Sequence, residues 1–449
     1  MTVIASFGTR SRAPVALGAC LVSFAAFWIA QRAAHVSMID LLVYRAEGAT
    51  VRAGGDLYAL RATAAGLPTT YPPFAALLFT PLTLPETAVL RALAALGNLV
   101  LLVAFVRLSL RLVGHARVES VWWTAAVAVW CEPVWTTLRY GQVNLLLAVL
   151  VLWDLSRRSR GGEEPGTGDG GRWADAGGLR RRAGTGSRWA GSRSRWAGAD
   201  ACRVGAGGWW AGVGLGLATA IKLTPALFVL FLALTGAVAR LRGGDGGPWL
   251  RHARGAVVAF AGATLLAAAV LPYDSWRYWT GMVFRTGRVG HVEDTANQAL
   301  RGVLARLLHT PDPGALWIAL AALAAVAGLW VAVSAELAGL RSWAVASCAV
   351  TALLISPVSW SHHWVWCVPL VLLLWTHGHR ATALGCLAVF CSYALWWVPH
   401  GIGRPELHQG GAELLLSALY GGCGLLFLLI AGQRCRGPAT RRRNSPVRP

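Results

Sequence analysis

Apolar residues occur along most of this chain in long runs, separated by short polar stretches rich in arginine and glycine. A transmembrane helix needs about 20 consecutive apolar residues to cross the hydrocarbon core of a bilayer. Runs near that length, some of them shorter, predict about twelve spans, at residues 14–34, 87–109, 118–138, 141–156, 207–222, 225–240, 254–272, 314–335, 343–357, 364–377, 381–398 and 411–432. The pattern therefore predicts an all-α polytopic membrane protein, with a transmembrane helix bundle over residues 1–432.

The composition favours a membrane protein over a soluble one. Hydrophobic residues make up 55% of the 449 residues, charged residues only 14%, and the mean hydropathy is +0.51. A soluble domain carries roughly a quarter charged residues, so lipid must cover much of this chain. The net charge is +21, but the arginines lie between apolar runs and in the tail, as they do in membrane loops. We therefore expect membrane lipids as partners and no nucleic acid.

The positive charges also predict the orientation in the plasma membrane. If the N-terminus is cytoplasmic, the inside segments hold 28 basic residues and the outside segments hold 12. Cytoplasmic loops carry such an excess of positive charge, so both termini are predicted to be cytoplasmic. Residues 157–206 are rich in glycine and arginine without hydrophobic periodicity, which predicts a disordered cytoplasmic insertion. Residues 433–449 predict a basic cytoplasmic tail beside anionic lipid heads.

In this orientation, several polar motifs fall together at the outer face. They are Asp40 with Tyr44, Tyr71-Pro72-Pro73-Phe74, Gly141-Gln142-Val143-Asn144, Ile221-Lys222-Leu223-Thr224-Pro225, Asn297-Gln298 with Arg301, and Ser359-Trp360-Ser361-His362-His363. Helix packing alone does not require so many polar motifs on one side. We therefore predict an extracytoplasmic functional site.

Each candidate residue also has a structural alternative. Asp40 lies among apolar residues at a membrane boundary, where an acid is costly and usually functional, although it could cap an interfacial helix. Lys222 is the one lysine of the chain; it could bind a phosphate as a point charge or extend to the interface. His362 and His363 could bind phosphate or hydroxyl groups, or belong to an aromatic interfacial belt. Amides that suit either sugar hydroxyls or helix caps are those of Gln142, Asn144, Asn297 and Gln298.

The cysteines and histidines predict neither a structural metal nor a disulfide framework. The nine cysteines are scattered, mostly within apolar runs, and no CxxC motif occurs. No cysteine and histidine spacing fits a zinc site. We expect no cofactor, and the sequence leaves a divalent cation open.

Taken together, the motifs resemble those of glycosyltransferase family 87, the polyprenyl-phosphate-mannose-dependent α-(1→2)-mannosyltransferases of actinobacterial cell envelopes. The resemblance runs from about residue 38 to residue 370. It implies a GT-C fold, which is a bundle of transmembrane helices with its active site at the extracytoplasmic face. It also implies that Asp40 is the catalytic base, and that His362 and His363 bind the phosphate or the sugar of the donor.

The reaction that the resemblance implies is an inverting transfer of mannose from polyprenyl-phosphate-mannose to an envelope glycan or glycolipid. Asp40 would take the proton of the acceptor hydroxyl, and cations would offset the charge that grows on the phosphate. The expected phosphate ligands are Lys222, His362, His363 and Arg301. The expected substrate-binding residues are Tyr44, Tyr71, Gln142, Asn144, Asn297, Gln298 and Trp360.

Two alternatives remain at this stage. The donor could carry another lipid-linked sugar, such as arabinofuranose or an amino sugar. The chain could instead transport a lipid or a sugar, but transporters usually show internal repeats and charges near the bilayer midplane. No repeat relates the two halves of this sequence, which disfavours transport.

Overall fold

The computed structural model describes residues 12–156 and 210–436, which are mostly helical. The α-helices are α1 (Ala13–Ala33), α2 (Ile39–Arg52), α3 (Pro73–Phe79), α4 (Thr87–Leu112), α5 (Val118–Ala128), α6 (Glu132–Tyr140), α7 (Asn144–Leu155), α8 (Val213–Ile221), α9 (Ala226–Leu241), α10 (Gly247–Val270), α11 (Pro272–Thr280), α12 (Leu300–Leu307), α13 (Gly314–Leu337), α14 (Arg341–Ile355), α15 (Cys367–Thr376), α16 (Arg380–Ser392), α17 (Gly411–Ser417) and α18 (Leu419–Arg436). Short 3₁₀ helices cover Thr80–Thr83, Met282–Phe284, Thr286–Arg288, Ser361–Trp366, Ala394–Trp396 and Pro405–His408. Strands β1 (Arg61–Ala62) and β2 (Leu67–Pro68) pair antiparallel, with Arg61 opposite Pro68.

The described helices confirm a helical membrane protein but do not confirm twelve spans. Four of them, α1, α4, α10 and α13, are long and apolar enough to cross a membrane. The number rises to six if each of the bent pairs α6–α7 and α17–α18 is counted as one span. At most a third of the best apolar window of each of the four long helices is buried inside the protein. The remainder is the apolar surface that lipid covers.

Several predicted spans are shorter because polar motifs interrupt them. The run 118–138 is divided at Cys131, an extended residue before α6, and Pro133 lies in the first turn of that helix. Gly141 ends α6 at a φ of +70°, and α7 then leaves at 116° to α6. Lys222 is extended (φ −151°, ψ 131°) and ends α8. Apolar length therefore overestimates the spans wherever a motif breaks the helix.

Helix α14 forms the centre of the bundle. All twelve residues from Trp343 to Leu354 are buried, and α14 packs against α13 and α18. A helix that is buried all around shows no polar stripe. This explains why a span prediction from hydropathy cannot distinguish α14 from a lipid-exposed helix.

The predicted insertion 157–206 lies outside the described residues. The predicted tail 433–449 does so from residue 437 onward, and its first four residues continue α18 to Arg436. The apolar residues 73–84, which lie between the first two predicted spans, are helical as α3 and the 3₁₀ helix Thr80–Thr83.

Candidate active site

Helix α2 presents Asp40 at its first turn. Met38 precedes the helix in a left-handed conformation (φ 51°) and turns the chain away from the end of α1. A carboxylate in the first turn also interacts favourably with the helix dipole. Gly48 allows α2 to lie directly on the end of α3, because a Cβ there would come within 2.4 Å of the Phe79 carbonyl oxygen. Close packing at Gly48 thus sets the position of Asp40.

Asp40 opens into a cavity of about 480 Å³, to which α2, the ends of α6 and α8, and the segment around residues 356–363 contribute. Most of the predicted site residues line this single cavity: Asp40, Tyr44, Tyr71, Gln142, Lys222, Trp360, His362 and His363. Motifs that are separated by more than 300 residues in sequence are thereby brought to one place.

On the acidic side of the cavity, Gln142 holds the carboxylate. Its Nε2 donates to Asp40 Oδ2 at 2.6 Å. Its Oε1 accepts hydrogen bonds from Tyr44 at 2.7 Å and from Tyr71 at 3.2 Å, which fix the amide orientation. Burial raises the pKa of Asp40 to about 6, although the Gln142 hydrogen bond and the Lys222 charge both oppose the rise. Asp40 is therefore ionised at neutral pH but more basic than an ordinary carboxylate.

On the other side, Lys222 lies between aromatic and amide groups. Its Nζ lies 2.9 Å from His363 Nε2, 3.4 Å from Asn144 Oδ1 and 5.6 Å from the centre of the Tyr71 ring. Burial, together with the Lys222 charge, lowers the pKa of both His362 and His363 well below the usual range. The imidazoles are therefore neutral, and Lys222 is the cation of this group.

The backbone of the histidine motif is held from α6 and α7. The His362 carbonyl accepts hydrogen bonds from Thr137 Oγ1 at 2.9 Å and Asn144 Nδ2 at 3.0 Å. The His362 ring packs edge-on against Tyr140 and against His363. Asn144 thus connects the Lys222 ammonium with the main chain that carries the histidines, and it does not line the large cavity itself.

Three predicted site residues lie elsewhere. Asn297 accepts hydrogen bonds from the backbone of Ala299 and Ser359, and Gln298 bonds the backbone around Thr295, Ser417 and Tyr420. Neither lines the cavity. Arg301 also lies outside it, 3.9 Å from Asp312 and over the ring of Trp317. Asn297 and Gln298 therefore support the loop beside the site through hydrogen bonds to the backbone. Arg301 lies away from the site.

Two acidic residues near the site escaped the sequence analysis. Asp294 lines the cavity, and burial raises its pKa. Glu132 is fully buried at the start of α6 and accepts hydrogen bonds from four side chains, those of Thr136, Ser361, Trp396 and Tyr420. The signal for Glu132 was available, because it is an acid inside an apolar run, as Asp40 is.

A second, smaller crevice adjoins the cavity behind Lys222. It has a volume of about 60 Å³ and shares Lys222, Thr224 and His363 with the large cavity. Its other lining residues are largely apolar and come from α7, α9, α14 and the 3₁₀ helix Ser361–Trp366. An apolar passage thus begins at the cationic side of the site.

Among residues 12–156 and 210–436, no group of three or more His, Cys, Asp or Glu side chains could hold a metal ion. The polar and aromatic groups that line the cavity include two carboxylates, a lysine, an arginine, two neutral imidazoles, an amide and several phenols.

Comparison with known families decides the classification. The model of glycosyltransferase family 87 matches residues 70–179 and 195–357, which is more than half of the chain. The chain belongs to glycosyltransferase family 87. The matched residues include Tyr71, Gln142 and Lys222, whereas Asp40 precedes the match and the histidine pair follows it.

Curated members of family 87 extend the similarity over most of the chain. A polyprenol-phosphate-mannose-dependent α-(1-2)-phosphatidylinositol mannoside mannosyltransferase of Mycobacterium tuberculosis is 32% identical over 350 residues, 74% of this chain and 68% of the relative. A polyprenol-phosphate-mannose-dependent α-(1-2)-phosphatidylinositol pentamannoside mannosyltransferase of the same species is 30% identical, over 81% of this chain and 72% of the relative. One of the same description from Mycolicibacterium smegmatis is 29% identical, over 78% and 72%. No solved structure matches the chain. The chain is a membrane glycosyltransferase.

Proposed function

We propose that this glycosyltransferase moves mannose from polyprenyl-phosphate-mannose to a mannosylated phosphatidylinositol and forms an α-(1→2) linkage. The names of the family 87 relatives supply the donor and the acceptor class. The observation that carries the mechanism is the single cavity that Asp40 shares with Lys222 and the two histidines. On one side of that cavity Asp40 can accept a proton, and on the other side Lys222 carries a positive charge.

In the proposed reaction, Asp40 takes the proton of an acceptor hydroxyl as the hydroxyl oxygen attacks the anomeric carbon. The bond between that carbon and the phosphate oxygen breaks on the opposite face. One displacement inverts a β-linked donor into an α-linked product, and the polyprenyl phosphate leaves. The Lys222 ammonium stabilises the charge that grows on the phosphate, while His363 and Asn144 hold Lys222 in place.

The apolar crevice behind Lys222 suits the first isoprene units of the donor. A phosphate that pairs with Lys222 would lie at the mouth of this crevice, because Lys222 and His363 line both cavities. We therefore place the donor lipid between α7, α9 and α14. Of the donor, only the sugar and the phosphate would then enter the cavity, where they meet the acceptor hydroxyl at Asp40.

The proposal includes a GT-C-type bundle in the plasma membrane, with both termini in the cytoplasm and the cavity outside. The excess of basic residues in the predicted inside segments supports this orientation. A lipid-linked donor is consistent with it, because the outer face has no supply of nucleotide sugars. Labelling of the single-cysteine variants Arg52→Cys and Arg107→Cys tests the sidedness, because residue 52 is predicted to lie outside and residue 107 inside.

The donor and the acceptor are tested in membranes that contain the overexpressed protein. Radiolabelled polyprenyl-phosphate-mannose, lipid-linked arabinofuranose and a nucleotide mannose are offered in separate reactions, each with a mannosylated phosphatidylinositol. We expect labelled product from the first donor alone. Digestion of that product with an α-mannosidase, together with linkage analysis, should show an α-(1→2) bond. Transfer from the nucleotide sugar with the lipid donor inert would overturn the proposal.

A further inference from the structure

A third recess lies outside the active-site cavity, between α1 and α4. It has a volume of about 120 Å³, and we name it the α1/α4 groove. Its polar lining residues are Gln31, Arg32 and Arg91, and the others are apolar, among them Phe27, Trp28 and Ala92. No acidic residue lines it. The groove therefore has the charge and the apolar walls that suit an anionic amphiphile.

Gln31 indicates that the groove holds a polar ligand group. The side chain is only 8% exposed, yet neither its Nε2 nor its Oε1 has a hydrogen-bond partner in the part of the chain that the structure describes. Burying an amide without partners is costly. A ligand that offers both an acceptor and a hydroxyl donor would remove that cost.

The two arginines supply the charge. Arg32 lies in the last turn of α1, with its guanidinium carbon 5.9 Å from the centre of the Trp28 ring. Arg91 donates from Nε to the Ser37 carbonyl at 3.1 Å, a contact that leaves its two terminal amino groups on the same side of the guanidinium for a bidentate partner. Arginine pairs in this way with phosphate oxygens.

The surroundings identify the anion as a lipid phosphate. Helices α1 and α4 are two of the four membrane-span candidates, and the residues beside the groove, such as Ile29, Leu93 and Leu96, are exposed. Acyl chains can lie along this surface while a phosphodiester meets the arginines near the helix ends. A free phosphate ion would use the arginines but not the apolar walls.

The groove and the active-site cavity lie on either side of one short connection. Met38 and Leu138 line the groove, whereas their neighbours Ile39, Asp40 and Tyr140 line the cavity. Since Lys222 lies in the cavity, the two cationic sites are separate, and Asp40 belongs to the segment between them. A phosphate bound in the groove would therefore lie beside the segment that leads to Asp40, which leaves the headgroup of the same lipid close to the cavity.

We infer that the α1/α4 groove binds the phosphodiester and acyl chains of the acceptor glycolipid, and so directs its mannosylated headgroup to Asp40. This inference rests on the proposed function. It assigns the acceptor phosphate to Arg32, Arg91 and Gln31, and leaves Lys222 for the donor phosphate. The groove thus selects acceptors that carry a phospholipid anchor.

The kinetic test uses Arg32→Gln as the principal variant, because its side chain makes no hydrogen bond to the 36–39 connection among the described residues. Gln31→Leu is the second variant, and Arg107→Gln, an exposed arginine at the other end of α4, is the matched control. KM and kcat are measured for the lipid acceptor, the lipid donor and a water-soluble α-mannoside. We expect the KM of the lipid acceptor to rise about tenfold in Arg32→Gln, with the donor KM, transfer to the soluble mannoside and the control unchanged.

Other outcomes would overturn the inference in distinguishable ways. An unchanged acceptor KM would exclude the groove, and a raised donor KM would assign it to the donor lipid. An equal loss with the soluble mannoside would give Arg32 a structural role only.

Binding is measured independently of catalysis by native mass spectrometry. The purified full chain is offered phosphatidylinositol, phosphatidylethanolamine and inorganic phosphate. We expect phosphatidylinositol to be retained by wild type and by Arg107→Gln and lost from Arg32→Gln. Retention of phosphatidylinositol by Arg32→Gln, or retention of inorganic phosphate alone by wild type, would contradict the inference. Because this readout needs no turnover, it separates failure of the groove from failure of the proposed reaction.

Discussion

Asp40 derives its basicity from burial, and Gln142 limits how far that effect goes. The amide donates to the carboxylate at 2.6 Å and itself accepts from two phenols. A hydrogen bond to the charged form lowers a pKa, while burial raises it. The balance leaves the Asp40 pKa at about 6. Asp40 is then ionised at neutral pH and still able to take a proton, as the proposed role of catalytic base needs.

This balance predicts a specific pH dependence. As the pH falls through about 6, Asp40 becomes protonated and kcat/KM falls with it. Gln142→Leu removes the hydrogen bond that lowers the pKa, so the acid limb of the kcat/KM profile should move upward by about one pH unit. Tyr44→Phe, which keeps the amide beside the carboxylate, should move it less. An unshifted limb in Gln142→Leu would disprove this account of Asp40.

Lys222 carries the second prediction at the residue scale. Lys222→Met should lower kcat by about 10²–10³, because in the proposed reaction Lys222 is the cation that offsets the phosphate charge. Arg301→Gln is the matched control, since Arg301 contacts Asp312 and Trp317 outside the cavity, and it should retain nearly full activity. Equal losses in the two variants, measured by steady-state transfer, would remove Lys222 from its assigned role.

At the scale of elements, the site depends on breaks in the helices. The break between α6 and α7 brings Gln142 to α2, and the break after α8 brings Lys222 to the cavity. In the sequence, the polar motifs lie at the ends of apolar runs on one predicted side of the membrane. From this pattern it was possible to predict that Asp40, Gln142, Lys222 and the histidines share one site. The pattern could not predict the length of each helix, because hydropathy does not distinguish apolar residues inside the protein from those in lipid.

Gly141 provides the test of the break between α6 and α7. It has a φ of +70°, and a Cβ there would lie 2.7 Å from Leu41 Cβ, next to Asp40. Gly141→Ala should therefore strain the backbone by about 1–2 kcal/mol and also displace α2, which lowers kcat. Gly114→Ala is the matched control, because Gly114 has a φ of +80° with open space around it. Gly114→Ala should lower the melting temperature in detergent to an extent similar to Gly141→Ala and leave kcat unchanged. Loss of kcat in both variants would contradict the role of Gly141 in positioning α2.

At the scale of the whole molecule, the site is assembled from segments that are distant in sequence. Asn297 and Gln298 resemble sugar ligands in the sequence, yet the structure gives their amides to the backbone of the loop around Thr295 and Ser359. Sequence cannot tell these two uses of an amide apart, because both present the same donors and acceptors. Glu132 shows the converse case: of its four donors, Thr136 lies on the same helix and the other three come from three separate parts of the chain.

The three recesses lie close to one another around Asp40 and Lys222. The apolar crevice shares Lys222 with the active-site cavity. The α1/α4 groove lies beside the connection before Asp40, and residues next to its lining also line the cavity. Two membrane lipids could therefore approach one carboxylate without sharing a binding site. This is what transfer between a lipid-linked donor and a lipid acceptor requires.

The central claim is that Asp40 is the base of this transfer, and the direct test compares wild type with Asp40→Asn. The purified proteins are assayed with radiolabelled polyprenyl-phosphate-mannose and the lipid acceptor, and donor binding is measured in parallel. Asp294→Asn, which alters the other acid that lines the cavity, is the matched control. We predict that Asp40→Asn lowers kcat by about 10³ with donor binding intact, while Asp294→Asn retains most activity. Turnover at the wild-type rate in Asp40→Asn would contradict the account.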